Sequence, residues 1–264
     1  MKVKPIDTIE DPALAPYARL TEAQLLNRLH PEEGLFICES EKVIRVALAA
    51  GCRPQSFLCE NKYIDSQVRA MCEGLAEDLP VYTAGREVLA RLTGYELSRG
   101  VLCAMHRPGL KSVAEVCRGM RRVAVMDGVV NSTNTGAIFR AAAALGVDAL
   151  LLTRTCCDPL NRRACRVSMG TVFQLPWAWM DSYGQLREEG FQTVALALTD
   201  RSVAIDDPVL KGVDRMAIVM GTEGDGLGEE VLRRVDYVAR IPMRRGVDSL
   251  NVAAAASVAF WELV

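Results

Sequence analysis

Five short apolar runs in the second half of the chain constrain its fold more than any other feature. They are "RVAVMDGV", "VDALLLT", "FQTVALALT", "RMAIVMG" and "YVARIPM", and each is rich in Val, Leu, Ile, Ala or Met with little polar interruption. A strand with one wet face alternates apolar and polar residues, whereas a run that is apolar throughout is buried on both faces. Helical patterns separate the runs: residues 132–145, "YGQLREEG", "GLGEEVLRRV" and the terminal "SLNVAAAASVAFWELV". This alternation predicts an α/β fold, a parallel sheet with helices on both faces. "FQLPWAWM" contains Pro176, which places its strand at an edge or gives it an irregular start.

The first half alternates too, over shorter elements. "TEAQLLNRL" opens with Thr21 and has Gln24 three residues later, a capping box. "SEKVIRVALAAG" places Ser40 as N-cap and Gly51 as a stop. "GLFICE", "PQSFLCE", "LPVYTA" and "GVLCAMHRP" read as strands, and "NKYIDSQVRAMCEGLA" as a helix. The expected layout is a small α/β domain over residues 1–108, a linker at 109–120, and a larger domain over 121–264.

Composition excludes several kinds of chemistry. Only two histidines occur, His30 and His106, so the commonest general base is scarce. The sequence has no GxSxG elbow, no HExxH helix and no Walker phosphate loop. The nine cysteines include no CxxC pair or zinc spacing, so reduced thiols in a cytoplasmic protein are expected, and no metal. The N-terminus lacks the apolar core of a signal peptide, and no run is long enough for a membrane helix. A net charge of −2 argues against coating nucleic acid by bulk charge. It leaves room for local patches, and arginines cluster at Arg118, Arg121 and Arg122, at Arg154, Arg162, Arg163 and Arg166, and at Arg240, Arg244 and Arg245. Each cluster is either a solvated surface or a site for an anionic partner.

Polar residues gather where the buried strands end, which is where open α/β sheets bind ligands. Three segments stand out: "NSTNTGAIFR" at 131–140, "GTEGDGLG" at 221–228 and "IPMRRGVDSLNVAAAA" at 241–256. The second does not follow GxGxxG, and Glu223 and Asp225 would repel a pyrophosphate, which disfavours a nucleotide-dependent dehydrogenase. It reads either as a solvent turn or as a loop whose backbone approaches a flat ligand. In the third segment Ser249 is the expected N-cap. The alanines that follow suit either a crowded dimer seam or a tight helix contact.

Together, "NSTNTGAIFRAAAALG", "IVMGTEGDGLG" and "IPMRRGVDSLNVAAAASVAFWE" resemble the three signature motifs of the SpoU (TrmH-like) branch of SPOUT RNA methyltransferases. "RVSMGTVFQLP" resembles that family's intermediate segment, and "GLFICESEKVIRVALAAG" its L30e-like substrate-binding domain. The resemblance implies a C-terminal trefoil knot, S-adenosylmethionine as cofactor, a homodimer with a shared substrate site, no membrane, and methyl transfer to a ribose 2′-hydroxyl. Ribosomal RNA is the favoured substrate. Transfer RNA, or an RNA-binding protein without catalysis, are the alternatives.

Carried over residue by residue, the resemblance marks Arg140, Asn134, Glu223, Ser249 and Asn251 as catalytic. It marks Gly221, Ile241, Met243 and Leu250 as lining the cofactor pocket, with Leu198 and Thr199 as further candidates. Arg162, Arg163 and Arg166 are candidates for RNA phosphate. Proposals for the family differ on whether the arginine matching Arg140 acts as base. Arginine stays protonated in proteins, so Arg140 is as well suited to stabilise a developing alkoxide or grip a phosphate. The base is then a phosphate oxygen, Glu223 or water.

Overall fold

The computed structural model describes residues 1–6, 8, 10–93 and 100–264. In chain order its elements begin with β1 (Lys2–Pro5), α1 (Ala15–Ala18), α2 (Glu22–Leu26), β2 (Leu35–Glu39) and α3 (Glu41–Ala49). There follow β3 (Pro54–Glu60), α4 (Arg69–Met71), β4 (Pro80–Ala84), α5 (Arg86–Thr93), β5 (Val101–His106) and α6 (Val113–Cys117). Next are β6 (Arg122–Met126), α7 (Ser132–Ala144), β7 (Ala149–Thr153), α8 (Arg162–Val167), β8 (Trp177–Met180) and α9 (Gly184–Glu188). The chain ends with β9 (Gln192–Leu196), β10 (Val203–Ala204), α10 (Pro208–Lys211), β11 (Met216–Met220), α11 (Glu229–Arg234), β12 (Tyr237–Arg240) and α12 (Val252–Leu263). These divide into two compact units: residues 1–109 with 160–173, and residues 110–159 with 174–264.

The first unit is a five-stranded mixed sheet of order β1-β4-β3-β5-β2, in which β5 runs antiparallel to both its neighbours. Leu14, Tyr17, Ile37, Leu58 and Leu102 are among the buried residues of its core. Tyr17 is satisfied there: its hydroxyl is 2.7 Å from the Ser56 carbonyl and accepts from the Ala104 N–H. The capping box of Thr21 and Gln24 forms as the spacing predicts. Two readings are corrected. Ser40 precedes α3 but has φ +86° and makes no capping hydrogen bond. The helix expected from Asn61 to Ala76 is helical only from Ile64 to Met71, beginning as a π-helical turn.

Residues 160–173 group with this unit, although they follow β7 in sequence. Here α8 packs on β2, and Phe173 lies against Phe36 with ring centroids 5.5 Å apart. Gly170 turns with φ +89°, and a Cβ there would fall 2.9 Å from that of Val46.

The second unit is a seven-stranded sheet of order β10-β12-β9-β11-β6-β7-β8, parallel throughout. Its buried strands are the continuous apolar runs, and β8 is an edge that starts directly after Pro176. One face buries Val123, Val125, Leu151, Ala217 and Val219. α12 packs along α7 and on β11, and Ile138, Phe139, Ala256 and Phe260 are buried. Small alanines let the two helices approach closely, and burying each phenylalanine stabilises the unit by ~2–3 kcal/mol.

Candidate active site

The C-terminal ends of β9, β11 and β12 open into a cavity of about 940 Å³. That volume is of the size that takes a cofactor. Its wall is formed by Leu196–Leu198, Met220–Leu227, Ala239–Met243 and Val247–Val252 with Ala255.

The glycine loop at 221–227 folds back on itself. The Thr222 N–H and hydroxyl both donate to the Gly226 carbonyl at 3.1 Å. A Cβ on Gly221 would fall 2.4 Å from the Gly226 carbonyl carbon and 2.6 Å from the Leu227 nitrogen, so only glycine permits this closure. A Cβ on Gly128 (φ +69°) would meet Thr222 Cγ2 at 2.6 Å, which shows how closely the loop after β6 meets the glycine loop.

Two asparagines join the starts of α7 and α12. Asn131 caps α7, its Oδ1 accepting from the Thr133 and Asn134 N–H groups. Asn251, not Ser249, caps α12, accepting from Ala253 and Ala254. Its Nδ2 also donates to Asn134 Oδ1 at 3.2 Å. Asn251 thus holds a helix start and orients Asn134, which is 8% exposed.

A polar network beneath the turn after β6 was not anticipated. The Tyr183 hydroxyl donates to Asp127 Oδ2 at 2.7 Å, and the Thr153 hydroxyl to Asp127 Oδ1 at 3.1 Å. Burial and the adjacent carboxylate push the Tyr183 phenol well up, so it stays a donor. The Gly128 N–H donates to Thr153 Oγ1, the Cys156 thiol to the Met126 carbonyl, and the Cys157 N–H to the Val129 carbonyl. Together they brace the turn that leads into α7.

Of the residues marked from sequence, Glu223, Ser249, Asn251, Leu198, Gly221, Ile241, Met243 and Leu250 line the cavity. Asn134 reaches it through Asn251. Thr199 lies one residue beyond the wall and is tied to Ser202 by its N–H and hydroxyl. Arg140 is exposed on α7 and outside the wall; six residues from Asn134, it sits about 240° round the helix. Arg162 and Arg166 belong to the first unit, where both face buried Glu39, at 3.4 and 3.2 Å. Burial pulls the Arg162 guanidinium below its ordinary value while Glu39 opposes the shift. Arg163 is exposed.

Among the described residues, no cluster of three or more His, Cys, Asp or Glu side chains is placed to hold a metal ion. No described helix is long and apolar enough to cross a membrane.

A parallel sheet with a ligand-sized cleft at its strand ends defines an α/β enzyme of the kind that binds a small cofactor. The fold is shared with an AdoMet-bound rRNA methyltransferase from Sinorhizobium meliloti, at TM-score 0.83 and 24% identity over 99% of this chain and 97% of that one. It is shared too with the SpoU methyltransferase AviRb from Streptomyces viridochromogenes, at TM-score 0.74 and 21% identity over 95% of each chain. An uncharacterized tRNA/rRNA methyltransferase of Mycobacterium tuberculosis is 37% identical over 258 residues, 96% of this chain and 88% of that one. A 23S rRNA (guanosine-2′-O-)-methyltransferase, RlmB, of Bordetella pertussis is 32% identical over 157 residues, 59% of this chain and 64% of that one. Residues 121–261 match the SpoU rRNA Methylase family. The chain belongs to that family and is an RNA methyltransferase.

Proposed function

We propose that this protein transfers a methyl group from S-adenosylmethionine to a ribose 2′-hydroxyl of ribosomal RNA. The observation that carries the reading is the convergence on one cavity of the glycine loop, Ile241–Met243 and Ser249–Asn251, with Asn134 tied to Asn251. The cavity fits the donor. Met220, Ile241 and Leu250 offer apolar surface to a flat base, Gly221 lets main chain come close, and Glu223 and Asp248 supply negative charge suited to a cation. When bound, S-adenosylmethionine supplies an already activated methyl on a sulfonium.

The chain's own residues then have two tasks: to align the ribose oxygen, and to ease the loss of its proton. Asn134, oriented by Asn251, is placed to fix the ribose. Glu223, on the cavity wall, is the protein's candidate to accept the proton or to position a guanidinium. Arg140 stabilises negative charge on the oxygen. Because Arg140 lies outside its own chain's cavity, we assign its partner site to a second copy in a homodimer. Trp261 and Val258, 78% and 39% exposed and three residues apart on α12, give an apolar stripe suited to that seam.

The first unit is assigned the role of an L30e-like RNA-binding domain, with Arg163 and the half-exposed Arg166 beside Arg162 on one short helix as supporting cations. The C-terminal knot belongs to the same proposal. The return of the chain from β12 past β9 to pack α12 on β11 supports it. A cytoplasmic location accords with nine free cysteines.

Incubation with methyl-labelled donor and purified rRNA or tRNA tests the reading. Label in rRNA is expected. Label confined to tRNA, a substrate named with rRNA for the Mycobacterium relative, would move the substrate; donor binding without transfer to either would leave an inactive RNA binder.

A further inference from the structure

Between β12 and α12 the chain makes a tight turn in which the Val247 N–H donates to the Arg244 carbonyl at 3.2 Å. Its central residues, Arg245 at φ +60° and Gly246 at φ +71°, are both left-handed. Such paired positions ordinarily go to Asn, Asp or Gly, because a larger side chain crowds the backbone there. Arg245 therefore sits where the fold alone would favour glycine. Among the described residues nothing compensates: Arg244 and Arg245 are exposed, and neither forms an ion pair there. The same is true of Arg240 at the end of β12. Met243 and Val247, flanking the turn, line the cavity, so the arginines stand at its mouth. The carboxylates nearby are Asp248, on the wall, and Glu223 and Asp225, on the glycine loop.

We propose that Arg244 and Arg245 grip phosphates of the RNA strand next to the nucleotide whose ribose enters the cavity. The inference rests on the RNA methyl-transfer reading above. A guanidinium presents paired N–H donors that match a phosphate, and RNA offers one at each nucleotide. The acidic glycine loop repels the same backbone, so the strand crosses the mouth on the side of the turn. A solvated arginine at 245 gains nothing from a left-handed backbone, whereas one that holds a fixed anion does.

Three variants test this: Arg245→Gly, the double change R244A/R245A, and R244K/R245K. Each is measured for RNA affinity across a salt series, for kcat and KM with RNA, for S-adenosylmethionine affinity by calorimetry, and for melting temperature. Arg245→Gly should melt no lower than the parent, since glycine relieves the turn, yet bind RNA more weakly. R244A/R245A should raise the RNA KM by ~10-fold with kcat within about twofold, and reduce the salt slope by about 0.7 for each phosphate left without its arginine. R244K/R245K should restore most of the salt slope. Donor affinity should not move. An unchanged KM and salt slope in R244A/R245A would overturn the proposal, as would a loss of donor affinity, which would assign the arginines to the cofactor. If the parent binds RNA but transfers no methyl, the enzymatic reading fails while the salt slope still judges the clamp.

Discussion

Replacing Asn251 separates the two jobs that the structure gives it. Asn251→Ala removes the acceptor for the Ala253 and Ala254 N–H groups, at 3.0 and 3.4 Å, and the donor to Asn134 Oδ1 at 3.2 Å. Loss of an N-cap costs ~1–2 kcal/mol, and loss of a largely buried amide hydrogen bond ~1 kcal/mol. The sum, about 2–3 kcal/mol, corresponds to a fall in melting temperature of roughly 4–12 °C for a chain of this size. Asn251→Asp keeps the acceptor and adds a negative charge that the helix start favours by ~0.3–1 kcal/mol, but it cannot donate to Asn134. Its melting temperature should stay within about 4 °C of the parent, while methyl transfer falls by ~100-fold through misplacement of Asn134. Scanning calorimetry and a labelled-methyl assay on both variants read the two effects apart. Asn251→Ala melting like the parent would refute the capping argument. Asn251→Asp turning over like the parent would remove the Asn134–Asn251 link from the machinery.

Three further outcomes are expected. Gly221→Ala forces the glycine loop away from Gly226 and Leu227 by about 1 Å; overpacking of this kind costs ~1–3 kcal/mol, so calorimetry should show donor affinity reduced by ~10–100-fold. Glu39→Ala leaves Arg162 and Arg166 without their shared carboxylate; with Arg162 mostly buried, the first unit should lose ~3 kcal/mol in a denaturant titration. Burial pushes the thiols of Cys59 and Cys117 up to about 12 and about 11. An unfolded thiol ionises near 8.5, so stability is intact below that pH and should decline as pH rises towards 11–12, with both residues refractory to alkylation in the native state at pH 8.

Six of the seven strands of the second unit were legible because their runs are long and mostly apolar, as a doubly covered parallel sheet requires, whereas β10 is only two residues long and carries no such run. The edge strand β1 was not, since "KVKP" is polar, ends in proline and is exposed along its length. The capping box at Thr21 was legible because its chemistry is local. The cap of α12 was misassigned to Ser249 because Ser and Asn cap equally well and only the folded backbone shows which of the two starts the helix; the second bond of Asn251, to a residue 117 positions earlier, leaves no record in sequence spacing. The same holds for Tyr183 and Asp127, which are 56 positions apart and meet only once the strands align. Arg162 and Arg166 advertise a basic helix in sequence, but the carboxylate they face lies on β2. Most of the cavity wall could be named in advance because the second and third motifs follow β11 and β12, whose ends open into it, while the first follows β6 and reaches it only through the Asn134–Asn251 bond. Arg140 could be named as well, but its place outside that wall follows from helix phase and packing.

In the proposed reaction the cavity holds a methyl donor for attack by a ribose oxygen. Its most direct test is nucleoside mass spectrometry of RNA treated with the protein and methyl-labelled S-adenosylmethionine. Label is expected on the 2′-oxygen of a single rRNA nucleotide, lost in Arg140→Ala while donor binding persists. Label on a base, or undiminished transfer by Arg140→Ala, would contradict it.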